Sequence, residues 1–407
     1  MQPSSILKFK KFILSYGPAI FMIGAVVGTG SVSSLVVAGA DHGMSLLWAL
    51  LLSCIFFWIL LAVMSRVTFA SGKTFISLAN EHFRKAAGFY IVLAVTISQF
   101  TANIGVLGII SEAFATWTGA DFLLSAIFWS ALVYLIVFFG KYSVFEKILV
   151  IFVTILAGSF IADMFIAHPP AKMVLSGLIP SVPRGGAMIV GAMVGTTLAG
   201  SVVVMRSFVV KDKGWTMKDL KHAEKDSLVS GVLIFVVSAV VMATAAATLH
   251  VRGTHVDKAI DMAYTLVPLF GKFAATLFVV GIIAAGLSSA FPNTLVSIWS
   301  ISDFFGLSLN PRALHFRLIA ILYAGAGLIA PIFGGKPVLL QIISLAIQAI
   351  FLPLLVLFLT LLANKEAVVG PHKNSLFVNI MSTITFLFSL FMAYQAFTGL
   401  MELAHSI

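Results

Sequence analysis

The fold of this chain is decided by the stretch Gly24-Ala-Val-Val-Gly28-Thr29-Gly30-Ser31, which interrupts the first long apolar run with glycines and hydroxyls. A related stretch, Gly191-Ala-Met-Val-Gly195-Thr196-Thr-Leu-Ala199-Gly200-Ser201, interrupts the sixth apolar run in the same way. Both lie in acid-free sequence, because no Asp or Glu precedes Asp41 and none occurs from Met164 to Lys211. Membrane proteins built from inverted repeats place their binding site at such a pair of broken helices. The two stretches therefore predict a site near the bilayer midplane.

The composition excludes an ordinary soluble domain. Hydrophobic residues make up 60% of the chain, charged residues 10%, and the mean hydropathy is +1.09. Such values are typical of polytopic membrane proteins, whose apolar runs of about 20 residues span the hydrocarbon. The single cysteine, Cys54, excludes an intrachain disulfide. We expect one all-α transmembrane domain covering residues 1–407.

The apolar runs predict eleven membrane helices, near residues 17–40, 44–67, 89–113, 122–140, 146–167, 186–210, 227–250, 263–289, 314–333, 337–363 and 375–400. With this assignment, eighteen Lys and Arg residues lie on the N-terminal side of the membrane and six on the other. The positive-inside rule then places the N-terminus in the cytoplasm and the C-terminus outside, in a cell membrane. The net charge of +10 is explained by this asymmetry, so it does not indicate nucleic-acid binding.

The two interrupted runs open two repeats of opposite orientation. They are spans one and six, so the second repeat begins five helices, an odd number, after the first. This arrangement predicts a leucine-transporter-type fold with a 5+5 inverted repeat, near residues 12–168 and 184–363, plus an extra helix at 375–400. Chance similarity is the alternative, because small residues are common in membrane helices.

Six short motifs are spread over nearly the whole chain. They are Gly17-Pro18-Ala19, Ala38-Gly39-Ala40, Leu46-Leu47-Trp48, Ser71-Gly72-Lys73, Glu146-Lys147 and Ala284-Ala285-Gly286-Leu287-Ser288-Ser289. Together they resemble the Nramp family of proton-coupled divalent-metal transporters. The resemblance implies a secondary transporter with the fold predicted above.

The metal-binding motifs of that family are replaced. Its span-one Asp-Pro-Gly-Asn corresponds to Gly28-Thr29-Gly30-Ser31, and its span-six Met-Pro-His corresponds to Ala199-Gly200-Ser201. The family's second span-six histidine corresponds to Arg206, and its acidic span-three position falls on or near Asn103. Carboxylate, amide and thioether ligands are thus lost. Since soft metals are selected by such ligands, the sequence argues against manganese or iron as the substrate.

We therefore expect an organic anion at the two breaks. A half-helix N-terminus offers backbone N–H donors and a positive dipole, and glycines let an anion approach them. The string Gly28-Thr29-Gly30 is also similar to the carboxylate-binding Gly-x-Gly motif of amino-acid transporters with this fold. The predicted substrate is a di- or tricarboxylate such as citrate, alone or with a divalent cation. Its predicted binding residues are Gly28, Thr29, Gly30, Ser31, Ala199, Gly200, Ser201 and Arg206.

Arg206 is the most specific single candidate for a residue that binds the anion. An arginine within an apolar span normally faces a cavity or a partner, which favours an anion clamp. The alternative is a side chain that reaches the headgroups, because Lys211 follows five residues later. Asn103, Gln341 and Gln348 are further cavity-lining candidates, for which polar contact between helices is the alternative.

Two other functions stay open on the sequence alone. A magnesium ion that keeps its waters needs few protein ligands, so transport of hydrated magnesium is the first alternative. A sensor or scaffold without transport is the second. We find no pattern typical of an enzyme, a cofactor site or a resident metal. The expected partners are the small-molecule anion, with or without a divalent cation, and the lipid bilayer, and no oligomer is required.

Overall fold

The computed structural model describes residue 26 and residues 28–139, 142–167 and 169–406, with the backbone alone for residues 142–153 and 167. Across these ranges the chain is helical and has no β-strand. The α-helices are α1 (Thr29–His42), α2 (Leu47–Ser71), α3 (Phe75–Phe83), α4 (Lys85–Thr118), α5 (Phe122–Phe139), α6 (Tyr142–Ala167), α7 (Ala171–Ser176), α8 (Ala187–Thr197), α9 (Gly200–Asp212), α10 (Leu220–Thr248), α11 (Val267–Phe270), α12 (Ala274–Phe305), α13 (Leu314–Gly325), α14 (Ile329–Ile332), α15 (Pro337–Leu362), α16 (Glu366–Val369) and α17 (Leu376–Ser406). Five 3₁₀ segments connect them, at Met217–Asp219, His250–Arg252, Ala259–Leu266, Gly271–Phe273 and Ala326–Leu328.

Nine stretches among the described residues are long and apolar enough to cross a membrane. They coincide with all the predicted spans except the first and the fifth. Residues 17–25 and 27 of the first span, including Gly17-Pro18-Ala19 and Gly24, lie outside the described residues, as does the start of the first repeat. The fifth span corresponds to α6, whose side chains are described only from residue 154 to 166. The count of eleven therefore stays a prediction.

The eighth span is longer than expected. Helix α12 continues to Phe305, although the apolar run predicted an end at residue 289. Pro292 lies inside the helix and removes one backbone donor. Most of the residues that follow, up to Ser302, are buried, so the packing of this segment offsets the lost donor.

The interrupted helices form the centre of the bundle. Residues 29–40 of α1 and 189–197 of α8 are buried throughout. Helix α1 packs on α8 and α10, while α8 packs on α15 and α17. The outer helices instead expose large apolar side chains, such as Phe128, Leu318 and Leu387. Exposed apolar side chains around a core that contains the polar interruptions are typical of a protein surrounded by lipid.

Close packing of α1 on α10 depends on Gly39. A Cβ atom built at Gly39 would lie 2.5 Å from the carbonyl oxygen of Met242 and 2.7 Å from the Cβ of Ala245. Small residues at a membrane-helix interface allow this approach and the dispersion contacts that come with it.

We expect Gly39→Ala to lower the free energy of unfolding by about 1–3 kcal/mol, because the new methyl group overpacks against backbone. The matched control is Gly158→Ala in α6, where a Cβ would meet no atom within 4 Å. The control should be neutral or slightly stabilising, since alanine favours a helix over glycine by about 1 kcal/mol. Thermal unfolding in detergent measures both variants, and equal melting temperatures for the two would contradict the packing argument.

Candidate functional site

The second interruption predicted from the sequence is a real break in a helix. Helix α8 ends at Thr197, the backbone leaves helical geometry at Leu198 (φ −91°, ψ 43°) and Ala199 (φ −59°, ψ 106°), and α9 begins at Gly200. The amide of Leu198 still donates to the Val194 carbonyl, at 2.8 Å. The carbonyls of the three residues after Val194 have no hydrogen-bond donor inside α8. The helix dipole also makes the C-terminal end of α8 partly negative.

The first interruption meets the second across the centre of the bundle. Gly28 has an extended backbone and precedes α1, so the N-terminus of α1 lies at this point. The Ser31 hydroxyl lies 3.1 Å from the Thr196 hydroxyl and also donates to the Val26 carbonyl. The two stretches, far apart in sequence, are therefore in direct contact, as a paired site requires.

Glycines in both stretches allow α15 and α12 to approach closely. A Cβ at Gly195 would lie 2.0 Å from the carbonyl oxygen of Leu345, and one at Gly30 would lie 3.1 Å from the Gln341 Nε2. A Cβ at Gly28 would collide with the Ser289 hydroxyl, 1.7 Å away. Gly28 thus serves helix packing and is covered by α12.

A small cavity lies between these elements. Its volume is about 30 Å³. Helices α1, α4, α8, α9, α12 and α15 surround it together with Val26 and the break. Its lining residues are Val26, Gly30, Gln99, Ala102, Val106, Thr196, Ala199, Ser201, Val202, Ser289, Asn293, Gln341, Leu345 and Gln348.

Five predicted site residues line this cavity, namely Gly30, Ala199, Ser201, Gln341 and Gln348. Four others, Gly28, Thr29, Ser31 and Gly200, belong to the same breaks but are not part of the lining. The Thr29 hydroxyl donates instead to the Ile282 carbonyl, at 3.4 Å. The breaks predicted from sequence do border the cavity, although only some of their side chains face it.

Asn103 lies one hydrogen bond away from the cavity. Its side chain is fully buried and donates to the Thr294 hydroxyl at 3.2 Å and to the Tyr323 carbonyl at 3.3 Å. Its Oδ1 accepts from the Nδ2 of Asn293, which lines the cavity, at 3.1 Å. Asn103 therefore orients a cavity residue.

Gln99, Thr196, Ser289 and Asn293 also line the cavity, although none of them was among the predicted binding or cavity-lining residues. Thr196 and Ser289 occur in motifs quoted above, whereas Asn293 falls beyond the predicted end of span eight. A usable signal was present, because amide side chains within membrane helices need partners and mark interfaces or cavities.

The polar lining is neutral. It consists of amides and hydroxyls, without carboxylate, imidazole, thiol or thioether groups. Among the described residues no cluster of three His, Cys, Asp or Glu side chains exists. Gln341 is 0% exposed, yet neither its Oε1 nor its Nε2 has a hydrogen-bond partner in the described part of the chain, and the same holds for the Ser289 hydroxyl. Buried polar atoms require partners, so these atoms point to a polar substrate or its waters.

The structure corrects both interpretations of Arg206. Its side chain is fully buried and does not line the cavity, so it neither clamps a molecule there nor reaches the headgroups. The Nη1 donates to Asp226 Oδ2 at 2.6 Å, the Nε to the Ser65 hydroxyl at 2.9 Å, and the Nη2 to the Ala223 carbonyl at 3.4 Å. The charge is therefore balanced by a carboxylate of α10, and the pair joins α9, α10 and α2.

The sequence matches the family profile described as "Natural resistance-associated macrophage protein-like", or Nramp, over residues 19–398. A protein of Erwinia tasmaniensis named "Divalent metal cation transporter MntH" is 26% identical over 374 residues, which cover 90% of this chain and 89% of that protein. The "Metal transporter Nramp5" of Oryza sativa subsp. japonica is 25% identical over 406 residues, covering 92% and 73% respectively.

Solved structures show the same architecture. A mutant form of the Eremococcus coleocola manganese transporter superposes with a TM-score of 0.76 at 17% identity, covering 97% of this chain and 87% of that one. Mhp1, a nucleobase-cation-symport-1 family transporter, superposes with a TM-score of 0.61 at 16% identity, covering 95% and 90%. These likenesses confirm the predicted all-α, leucine-transporter-type fold.

We expect Asp226→Asn to lower the free energy of unfolding by about 3–5 kcal/mol, because it leaves a buried arginine without a counter-charge. The double variant Arg206→Met/Asp226→Leu should recover most of this loss, since no uncompensated charge remains. Thermal unfolding of the purified proteins measures both effects. If Asp226→Asn melts at the wild-type temperature, the ion pair does not stabilise this junction.

Proposed function

The chain belongs to the natural resistance-associated macrophage protein-like family, and from this membership we propose that it carries a divalent metal cation across a membrane. It is a multi-pass membrane protein, and its family consists of transporters, not enzymes. The observation that carries the proposal is the cavity at the two helix breaks, with its neutral oxygen ligands and the unpartnered amide of Gln341.

The organic-anion substrate predicted from the sequence, and with it the anionic partner, is wrong. The relatives carry names such as "Divalent metal cation transporter" and "Metal transporter", and a structural neighbour is a manganese transporter. Two features of this chain agree with the correction. Arg206, the expected anion ligand, is neutralised by Asp226. A cavity of about 30 Å³ also has no room for a tricarboxylate.

The helix break has ligands for a cation as well as for an anion. The predicted anion site rested on the donors at half-helix N-termini. The C-terminal end of α8 adds carbonyl oxygens and the negative end of a helix dipole, and such ends coordinate cations in transporters with broken helices. The oxygens of Gln99, Ser201, Gln341 and Gln348 complete a set of neutral ligands around the same cavity.

These ligands favour a hard cation that keeps part of its hydration shell. Hard cations prefer oxygen, and magnesium loses its waters reluctantly, whereas soft metals are selected by nitrogen and sulfur ligands that this lining lacks. At about 10–15 Å³ for each water, the cavity of about 30 Å³ holds two or three waters. A six-coordinate magnesium ion would therefore exchange some waters for lining oxygens. Among divalent cations, we propose partly hydrated magnesium as the best match.

The topology inferred from the sequence is part of the same proposal. We place the N-terminus in the cytoplasm and the C-terminus outside, in the cell membrane, with inverted repeats near residues 12–168 and 184–363 and an extra helix at 375–400. Helices α2, α10 and α17 support this orientation, because the end of α2 and the starts of α10 and α17 meet where Arg66 bonds to Glu224 and Asn374. Basic residues are concentrated at this end.

Substitution of Gln341 tests the charge of the substrate. We expect Gln341→Leu to reduce magnesium uptake into proteoliposomes by about 10- to 100-fold, because it removes a ligand whose interaction with a charged group contributes about 1.5–3 kcal/mol. Gln341→Glu is nearly isosteric and should bind the cation more tightly at about pH 8, where the carboxylate is ionised.

Gln395→Leu in α17 is the matched control for this experiment, because it removes an amide from a membrane helix outside the cavity lining. Its uptake should equal that of the wild type. If Gln341→Glu abolishes binding and citrate is taken up by the wild type, the substrate is an anion after all. Binding of magnesium without uptake would favour the sensor alternative.

The dependence of uptake on pH provides a second test. Amides and hydroxyls do not titrate near neutrality, so wild-type uptake should change by less than about twofold between about pH 5.5 and 8. In Gln341→Glu, uptake at low cation concentration should fall as the pH decreases through the pKa of the new carboxyl, because the protonated form loses its charge. A steep pH dependence in the wild type would place a titrating group on the transport path.

A further inference from the structure

A groove on the outer surface of the bundle lies between α2, α10 and α17. Its volume is about 310 Å³, about ten times that of the central cavity. Its lining residues are Trp58, Ile59, Ala62, Val63, Arg66, Lys221, Glu224, Lys225, Leu228, Phe377 and Val378. None of these residues lines the central cavity, so the groove is a separate feature.

The groove changes from apolar to basic along its length. On α2 the lining begins with Trp58 and Ile59 and ends with Arg66, about 12 Å further at 1.5 Å per residue. Helix α10 runs the other way, from Lys221 and Lys225 to Leu228. Both helices thus place their charges at one end of the groove and their apolar side chains at the other, as the depth profile of one membrane leaflet requires.

The basic end carries a net positive charge. Arg66, Lys221 and Lys225 are opposed by a single carboxylate, Glu224. Arg66 donates to Glu224 Oε1 and to Asn374 Oδ1, each at 3.2 Å. These two bonds hold the Arg66 side chain in place at the basic end of the groove. Both lysines are exposed.

The lysines lie on the outer face of α10. Lys221, Lys225 and Leu228 follow helical spacing, whereas Asp226 on the opposite face is buried in the ion pair with Arg206. The outer lysines are therefore not required for the internal pairing of α10. They lie where a membrane helix meets the headgroup layer, and their charges can bind an anionic headgroup.

We propose that this groove binds an anionic phospholipid. Its phosphate lies at Lys221 and Lys225, next to Arg66, and one acyl chain lies along Trp58, Ala62 and Leu228. The positive charge at the basic end of the groove selects an anionic headgroup. The apolar side chains at the other end select a lipid over a free phosphate ion. This site is independent of the cation cavity and of the proposed function.

Native mass spectrometry of the purified full-length protein tests the proposal, with phosphatidylglycerol and phosphatidylcholine as probes. The wild type should retain one phosphatidylglycerol in preference to phosphatidylcholine. Lys221→Gln/Lys225→Gln should weaken phosphatidylglycerol binding by at least about tenfold, because each lysine near an anionic lipid contributes about fivefold. Ala62→Phe should lower the occupancy by both lipids, because it fills the apolar wall without changing charge.

Lys172→Gln/Lys272→Gln is the matched control, since both lysines are exposed and lie outside the groove. It should leave lipid binding at the wild-type level. Equal loss in the two double variants would show a general effect of charge and overturn the proposal, as would unchanged binding in the groove variants. Displacement of the lipid by millimolar inorganic phosphate would show an anion site without an acyl-chain subsite. A dimer that buries the groove without bound lipid would assign the groove to a second copy of the chain.

Discussion

Broken backbone inside a membrane has to be enclosed by protein, and the rest of this structure follows from that constraint. Lipid offers no hydrogen bonds to the backbone. The C-terminal end of α8 and the N-terminal end of α9 are therefore stable only where other helices, polar side chains or a substrate bind their free backbone groups. The surrounding helices come close enough because glycines stand at the contacts, as at Gly195 against the backbone of α15. The segment from Ala187 to Asp212 is correspondingly the most buried of the candidate spans.

Enclosure of the breaks leaves a cavity whose ligands are dipoles without formal charge. Dipoles can orient around an ion without holding it so tightly that it cannot leave. For the divalent cation proposed above, these few neutral ligands would replace only part of the hydration shell, so the ion would keep some of its waters. The hydroxyls of Thr196 and Ser289 and the amide of Gln341 are suited to this role, because they can bind water as well as metal.

Much of this architecture could be predicted from the sequence, because hydropathy and glycine patterns report directly on burial. The nine spans, and an interruption between Gly191 and Ser201 that the structure places at Leu198 and Ala199, were predicted in this way. The partner of Arg206 was not, because Asp226 directly precedes the predicted start of span seven, whereas α10 begins at Leu220. Asn293 was overlooked because α12 continues past its predicted end. The substrate was misjudged because sequence shows which groups a break exposes, but not which end of a helix faces the cavity.

The ion pair of Arg206 and Asp226 has a mechanical consequence. Both charges are fully buried, and separating them would leave each without its counter-charge in a medium that solvates charge poorly. The bond from Arg206 to Ser65 extends the same restraint to α2. Helix α9 is therefore fastened to α10 and α2, and any movement that separates it from either helix would have to break this buried network. The contact between the two breaks is easier to open, because the hydroxyls of Ser31 and Thr196 could exchange their mutual hydrogen bond for bonds to water.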